Sequence, residues 1–146
     1  MAFASLEECV DAIQGAAAVS GVKYAPTKPP EYPNDYPFVV TYPTTMRHMQ
    51  GPAGAITYLY DIVVELHIDR GDLPNDVDMA YPYAESIPNA VYGILNTNAA
   101  ASAGGSGRFG ALSWGFDEDE QGNEVPHPTI GFSWTWSEVK IIKVMS

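Results

Sequence analysis

Residues 56–69 show the most regular alternation of apolar and polar positions in the chain. The even positions are apolar or aromatic: Ile56, Tyr58, Tyr60, Ile62, Val64, Leu66 and Ile68. The odd positions include Thr57, Asp61, Glu65, His67 and Asp69. Because side chains alternate faces along a strand, this pattern predicts one long strand with an apolar face and a largely acidic face. At about 3.3 Å per residue it would run roughly 45 Å, so we expect it to project beyond its own core.

Two helical patterns flank this strand. Ser5 and Glu8 form a capping box at the start of the first, which predicts a helix over residues 5–19. The second begins at Asp78, a suitable N-cap, and predicts a helix over residues 78–96. Since proline lacks a backbone N–H, we expect Pro88 to kink or interrupt this second helix.

Composition marks three irregular segments. Residues 26–37 contain five prolines, which predicts an extended arm or loop. Residues 43–55 are rich in Thr, Gly and Pro and are predicted to form the broad tip of a hairpin between a strand at 38–42 and the long strand. Residues 97–107 have the composition of a flexible loop.

A second hairpin is predicted near the C-terminus. In residues 112–116 and 130–136, large apolar side chains alternate with Gly, Ser and Thr, which indicates two strands. We expect their small-residue face to lie against another backbone or a partner. Residues 139–144 are predicted to form a short final strand.

These elements predict a single α+β domain over residues 1–146. Its architecture would be an antiparallel or mixed sheet with a long β-hairpin, flanked by two helices, plus the C-terminal hairpin. With 146 residues, of which 46% are hydrophobic, the chain is long enough for one core and too short to expect two.

The charge balance narrows the possible partners. Seven Lys and Arg residues against eighteen Asp and Glu residues give a net charge of -11. Stable nucleic-acid binding needs clustered cations, so we expect none, although an acidic surface would let DNA pass without adhering. Cys9 is the only cysteine, which excludes an intramolecular disulfide and favours a cytosolic origin. The N-terminal residues and the apolar runs give no reason to expect secretion or a membrane partner.

No residue pattern predicts an enzyme, a metal site or a cofactor site. The acidic stretch 117–124 begins like a calcium loop, but its twelfth position is Pro128 rather than a bidentate Glu. The three histidines, His48, His67 and His127, fall in different predicted elements without metal-ligand spacing. We therefore expect no catalytic residue, no cofactor and no metal.

The aromatic residues leave one alternative open. Trp114, Trp134, Trp136, Tyr58 and Tyr60 would form a stacking platform for sugars if they shared an exposed face. Their even-numbered alternation favours packing in the core instead.

The order and length of the elements resemble the tail terminator proteins of long-tailed, non-contractile bacteriophages. The matching pieces are residues 5–19, 38–69, 78–96 and 112–136. The resemblance implies a virion protein, assembled in the host cytoplasm, that forms a hexameric ring on the tail tube protein. Such a ring stops tube polymerisation and offers a surface to the head connector, or stopper, protein. DNA passes through its hole without specific binding.

The resemblance also suggests roles for particular residues. Candidates for an acidic lumen are Asp61, Glu65, Asp69, Asp117, Glu118, Asp119 and Glu120, for which a solvated outer surface is the alternative. Candidates for contacts between subunits are Pro29, Pro30, Tyr32, Tyr36, Met46, Arg47, His48 and Met49. Other tail or neck subunits, such as a tube, connector or baseplate protein, share the same physics. A monomeric carbohydrate-binding module and an enzyme are the remaining alternatives.

Overall fold

The computed structural model describes residues 2–144 and has the α+β class that the sequence predicts. Its elements in chain order are α1 (Leu6–Ala17), β1 (Phe38–Gln50), β2 (Ala55–Asp69), α2 (Leu73–Ala80), α3 (Tyr83–Thr97), β3 (Gly104–Glu118) and β4 (Glu124–Val144). The strands form one antiparallel sheet in the order β1-β2-β4-β3. The long strand β2 lies inside the sheet, between β1 and β4.

The two faces of the sheet have different covers. We call the first the helix face, because α1, α2 and α3 pack on it. The even residues of β2 point to this face, and Ile62, Val64 and Leu66 are fully buried there. The predicted apolar face of the long strand is therefore the wall of the core. We call the opposite side the arm face, because residues 26–37 lie over part of it.

The first helix follows its capping signal. The Ser5 hydroxyl accepts a hydrogen bond from the Glu8 backbone N–H at 3.2 Å, as the capping box predicts. The helix ends at Ala17, two residues before the predicted end. Its buried Gln14 donates to the Val39 carbonyl at 2.7 Å and accepts from the Thr41 hydroxyl at 2.7 Å, which fixes α1 to the edge strand.

The predicted second helix is two helices. Asp78 is not its N-cap, because α2 already begins at Leu73, after Asp72 and with Pro74 in its first turn. The chain breaks at Pro82, and α3 then continues through Pro88 without interruption. Ile87 and Val91, which are fully buried, hold the turns on either side of Pro88 against the core.

The strands are longer than the sequence predicts. Residues 45–50 pair in register with β2, so the broad tip expected at 43–55 is wrong, and the turn comprises only residues 51–54. The loop expected at 97–107 shrinks to residues 98–103. The glycine-rich start of β3 is strand because Trp136 and Trp134 lie directly over Gly105 and Gly107.

Two bulges meet at Asp61 and divide the sheet. Thr44 is an extra residue in β1, and Ser137 and Glu138 together face Asp61 from β4. Each bulge shifts the side-chain alternation of its strand by one residue, so β4 joins the two strands predicted at 130–136 and 139–144 into one. We call residues 45–50, 55–60 and 139–144 the ribbon, and the rest of the sheet the body.

The predicted arm, residues 26–37, is not free. It has no regular secondary structure, but the Trp114 indole N–H donates to the Pro30 carbonyl at 2.9 Å. Just before the arm, Tyr24 forms a parallel bridge with Phe38 and accepts a hydrogen bond from the Val39 N–H at 3.0 Å. The chain thus covers the arm face and the β1 edge of the body by itself.

Candidate functional site

The ribbon presents two cross-strand rows of side chains on the arm face. One row consists of Met49, Thr57 and Ile142, and the other of Arg47, Leu59 and Lys140. We call these six residues the ribbon face. Met49 and Ile142 are 52% and 50% exposed, so the ribbon face combines uncovered apolar surface with two cations. Side chains of this kind form the centre of protein interfaces when a partner covers them.

Both long edges of the ribbon are also open. β3 begins opposite Ser137, so no strand among residues 2–144 pairs with the outer side of β4 from Val139 onward. On the other side β1 is the last strand of the sheet, and residues 43–50 are exposed throughout. Unpaired strand edges are templates for pairing with another chain, and lysines on such edges limit unwanted pairing. Lys140 and Lys143 both lie on the β4 edge and have no carboxylate partner among the described residues.

The base of the ribbon is held by the two bulges. The Glu138 N–H donates to the Asp61 carboxylate at 3.0 Å, and the Thr44 hydroxyl donates to the Asp61 carbonyl at 3.3 Å. Glu138 adopts a positive φ of 58° and forms an ion pair with Arg47. Asp61, Arg47 and Glu138 line an open recess of about 420 Å³ on the arm face. Asp61 is therefore a structural acceptor at the bend rather than a free surface carboxylate.

On the body, the predicted acidic face of β2 carries a closed polar network. His67 is completely buried, its Nε2 donates to Glu65 at 2.8 Å, and its Nδ1 lies 2.6 Å from the Thr129 hydroxyl. Tyr42 donates a further hydrogen bond to Glu65. Although burial alone would raise it, the pKa of Glu65 is lowered because these two hydrogen bonds stabilise the carboxylate. Glu65 is thus engaged by groups of its own chain, and its side chain is only 14% exposed to solvent.

His127 forms a second polar group on the same face. Its Nδ1 lies 2.9 Å from an Asp117 oxygen, and its Nε2 lies 2.8 Å from Asp69. Burial alone would lower the pKa of His127, but the hydrogen bonds to Asp117 and Asp69 outweigh burial and raise it. The His127 ring ties the end of β2 to the β3–β4 hairpin beside a recess of about 230 Å³ lined by Tyr32, Tyr36 and Trp114.

The acidic tip comprises residues 117–124. Glu118, Glu120 and Glu124 are exposed, whereas the Asp119 carboxylate accepts from the backbone N–H groups of Gln121 and Asn123 and so shapes the turn. Glu118 and Glu124 are direct cross-strand partners. Like charges in this position repel each other, and residues 117–124 contain no Lys or Arg that would compensate them.

The tryptophans do not share a face. Trp134 and Trp136 are buried on the helix face, whereas Trp114 contacts Phe38 and His67 on the arm face. The side chains proposed for a sugar platform are therefore split between the two sides of the sheet. Among residues 2–144, no group of three or more His, Cys, Asp and Glu side chains is placed to hold a metal ion.

The predicted contact residues separate into two sets. Met46, Arg47, His48 and Met49 lie on the ribbon, where Met46 and Met49 are exposed. Pro29, Pro30, Tyr32 and Tyr36 lie in the arm, where Pro29 and Tyr32 are exposed and Pro30 and Tyr36 are partly buried against the chain's own sheet. Sequence reasoning missed Leu59, Lys140 and Ile142, because their place beside Arg47 and Met49 depends on the bulge in β4. The absence of Asp and Glu from residues 43–60 and 139–144 is the sequence feature that could have indicated that these segments share one surface.

Comparison with known proteins does not assign the chain to a family. No protein-family model matches the chain, and no curated protein matches it. In the described part of the chain, none of the helices combines the length and apolar character required to cross a membrane.

Proposed function

We propose that this chain is a structural subunit of a bacteriophage tail, which forms a ring that terminates the tail tube and joins it to the head connector. The observation that carries the proposal is the ribbon, which extends past the part of the sheet that the arm covers and has two open edges and exposed Met49 and Ile142 on its arm face. A lone copy leaves this surface in water, whereas a neighbouring copy would cover it. The order of helix, long hairpin, helices and closing hairpin supports the same assignment by resemblance.

A closed ring of identical subunits needs a heterologous interface, in which one surface of a copy meets a different surface of the next. The ribbon supplies the first surface, because its edges offer main-chain groups and its face offers apolar area. Such a subunit would bind the tail tube protein on one side of the ring and the head connector protein on the other.

The charge distribution suits a passage for DNA. Asp69, Asp117, Glu118 and Glu120 lie at the end of the sheet opposite the ribbon, and the chain as a whole carries a charge of -11. A negative lumen repels the duplex and releases no counterions, so DNA would slide past without binding. Of the seven candidate lumen residues, Asp61 and Glu65 are the least suited, because they lie away from this end of the sheet and internal hydrogen bonds engage them.

Labelled electron microscopy tests the proposal directly. A tagged full-length chain, incorporated into virions of the phage that encodes it, is expected to place the label only at the head-proximal end of the tail. Label along the entire tube would identify a tube subunit, and label at the distal end a baseplate subunit. Virions without label would overturn the assignment to the tail.

A pair of variants connects the result to the ribbon. Ile142→Asp places a charge in the exposed apolar row, so we expect soluble chains that no longer add to tails. Tyr92→Asp changes an exposed side chain on α3, away from the ribbon, and is the matched control. Equal incorporation of both variants would show that the ribbon does not make the contact.

A further inference from the structure

We infer that the ribbon face of one copy binds the acidic tip of a second copy of this chain. The inference rests on the proposed ring and names the two surfaces that would meet. With this pairing the carboxylates of the acidic tip lie between copies, so the lumen charge comes from Asp69 and the other acidic residues outside the tip. The inference assigns Lys140, which has no carboxylate partner among the described residues, as the cation that receives the partner's carboxylates, with Arg47 in the same row adding positive charge although it pairs with Glu138. Met49, Leu59 and Ile142 supply the apolar area of the contact.

The charges of the chain are segregated along the sheet. Residues 43–60 and 139–144 contain no Asp or Glu, yet they hold Arg47, Lys140 and Lys143, three of the seven cations of the chain. The acidic tip, residues 117–124, contains five Asp and Glu residues and no Lys or Arg. In a protein with net charge -11, a basic ribbon and an acidic tip are complementary surfaces present on every copy.

The two surfaces cannot meet within one molecule. β4 starts beside the acidic tip at Glu124 and ends in the ribbon at Val144. The 15 residues from Glu124 to the start of the ribbon at Val139 separate the two surfaces by roughly 50 Å at the usual rise of an antiparallel strand. Contact between them therefore joins different copies head to tail, and this is the heterologous geometry from which rings are built.

The acidic tip has a feature that favours a cationic partner. Glu118 and Glu124 are directly opposite each other on the exposed end of the hairpin. This arrangement costs stability in the isolated chain, because no Lys or Arg of the described residues forms an ion pair with either carboxylate. A lysine or arginine from another molecule would relieve the repulsion.

The ribbon face is a poorer match for DNA than for a second copy. Duplex binding through phosphates needs many clustered cations, whereas the ribbon face has two, and Arg47 already pairs with Glu138. The row that contains these cations lies beside the row that contains half-exposed Met49 and Ile142. A surface that combines charged and apolar side chains in this way suits a protein partner. The acid-rich remainder of the chain would also repel DNA.

A charge-exchange experiment tests the pairing on the full chain. Sedimentation velocity is measured from about 1 to about 200 µM protein, at about 50 mM and about 500 mM salt. We expect the wild type to associate at low salt and to lose at least about tenfold in affinity at high salt, because screening weakens the contact. Lys140→Glu alone, and Glu118→Lys with Glu120→Lys alone, should each weaken association by about tenfold or more.

The combined variant is the decisive test of the pairing. A chain with Lys140→Glu, Glu118→Lys and Glu120→Lys carries the exchanged charges on both surfaces, so association should return toward the wild-type value. Lys23→Glu makes the same charge change on an exposed residue outside the ribbon and should leave association unaltered. Circular dichroism of each variant confirms that a loss of association is not a loss of folding.

Each other outcome has a defined meaning. Rings that ignore both salt and the charge exchanges would overturn this pairing and leave the proposed ring intact. Open chains of copies with the predicted rescue would support the pairing and contradict the ring. A wild type that stays monomeric at every concentration would overturn the pairing. Binding of added duplex DNA that depends on Lys140 would overturn it too. In either case the labelling of tails decides the proposed function separately.

Discussion

Phe38 and Met49 belong to the same strand and point to the same arm face, yet Phe38 is fully buried and Met49 is 52% exposed. The difference lies in what covers them. In the body, Tyr24 stacks on Phe38 at 5.5 Å between ring centroids, and the arm closes over Trp114. On the ribbon, no segment of the described part of the chain covers the arm face in this way. The sheet is therefore complete at one end and half covered at the other.

This comparison separates stability from assembly. The body holds most of the buried apolar side chains and the closed polar network, whereas the ribbon contributes Tyr60, Val139 and Ile141 to the core, so the body should account for most of the free energy of folding. The ribbon face leaves its apolar area in water, so substitutions there should change association much more than folding. The following predictions test that division.

The largest expected effect is in the core of the body. Leu66→Ala removes a fully buried side chain and should lower the free energy of unfolding by about 2 to 5 kcal/mol. Ile142→Ala on the ribbon, where the side chain is half exposed, should cost less than about 1 kcal/mol. Urea denaturation at low protein concentration measures both values. Equal losses would mean that the ribbon belongs to the folding core.

A second test uses two glycines that face each other in the sheet. A Cβ at Gly131 would overlap the Leu66 carbonyl oxygen, whereas a Cβ at Gly110, its partner in β3, has open space. Gly131→Ala should destabilise the chain by at least about 1 to 3 kcal/mol through overpacking. Gly110→Ala should change stability by no more than a few tenths of a kcal/mol. Thermal unfolding compares the pair, and a tolerated Gly131→Ala would show that β2 and β4 are further apart than described.

The third effect depends on pH. Because the folded chain raises the pKa of His127 above its usual 6.5, the His127 contribution is fully present below that value. It is lost as the pH rises through the higher folded-state pKa. His127→Gln should therefore destabilise the body clearly at about pH 5.5 and much less at about pH 9. Unfolding curves at both pH values check this, and His48→Gln, on the exposed ribbon, is the control. A loss that grows with pH would contradict the assignment.

The smallest expected effect is at the base of the ribbon. Arg47 and Glu138 form an ion pair, but their side chains are 59% and 40% exposed. Solvent screening limits such pairs, so Arg47→Ala should cost no more than about 1 kcal/mol in denaturant unfolding. The same variant should weaken association between copies more strongly, since Arg47 is on the ribbon face. A large loss of stability would place the pair in the folding core instead.

The alternation of apolar residues was sufficient to predict the long central strand, because the extra residues of both bulges lie in β1 and β4 and the side chains of β2 keep alternating faces from Ile56 to Asp69. It failed where the strands bulge. In β4 the even residues Trp134 and Trp136 face the helices, and after the bulge the odd residues Val139 and Ile141 do so. A single strand whose side-chain alternation shifts by one residue has the sequence pattern of two short strands. Only the pairing with β2 shows that β4 is continuous.

Some residues of the candidate site were found from the sequence, but their structural setting was not. Met46, Arg47, His48 and Met49 were predicted as contacts from a loop composition, and they are instead part of a paired strand. Glu65 was predicted on an open acidic surface, but His67 and Tyr42 engage it through contacts that join β1 to β2. Sequence spacing does not report such neighbours, because they lie far apart in the chain.

The sequence by itself determined the α+β class, the cap at Ser5, the acidic tip and the absence of acids from residues 43–60 and 139–144, because all of these are local or compositional properties. The tertiary structure decided that Arg47, Leu59 and Lys140 form one row and that the arm covers the body but not the ribbon. The physical reason is that strand register and the position of a bulge depend on the fit of distant segments against a shared core. One residue of slip would exchange the two faces.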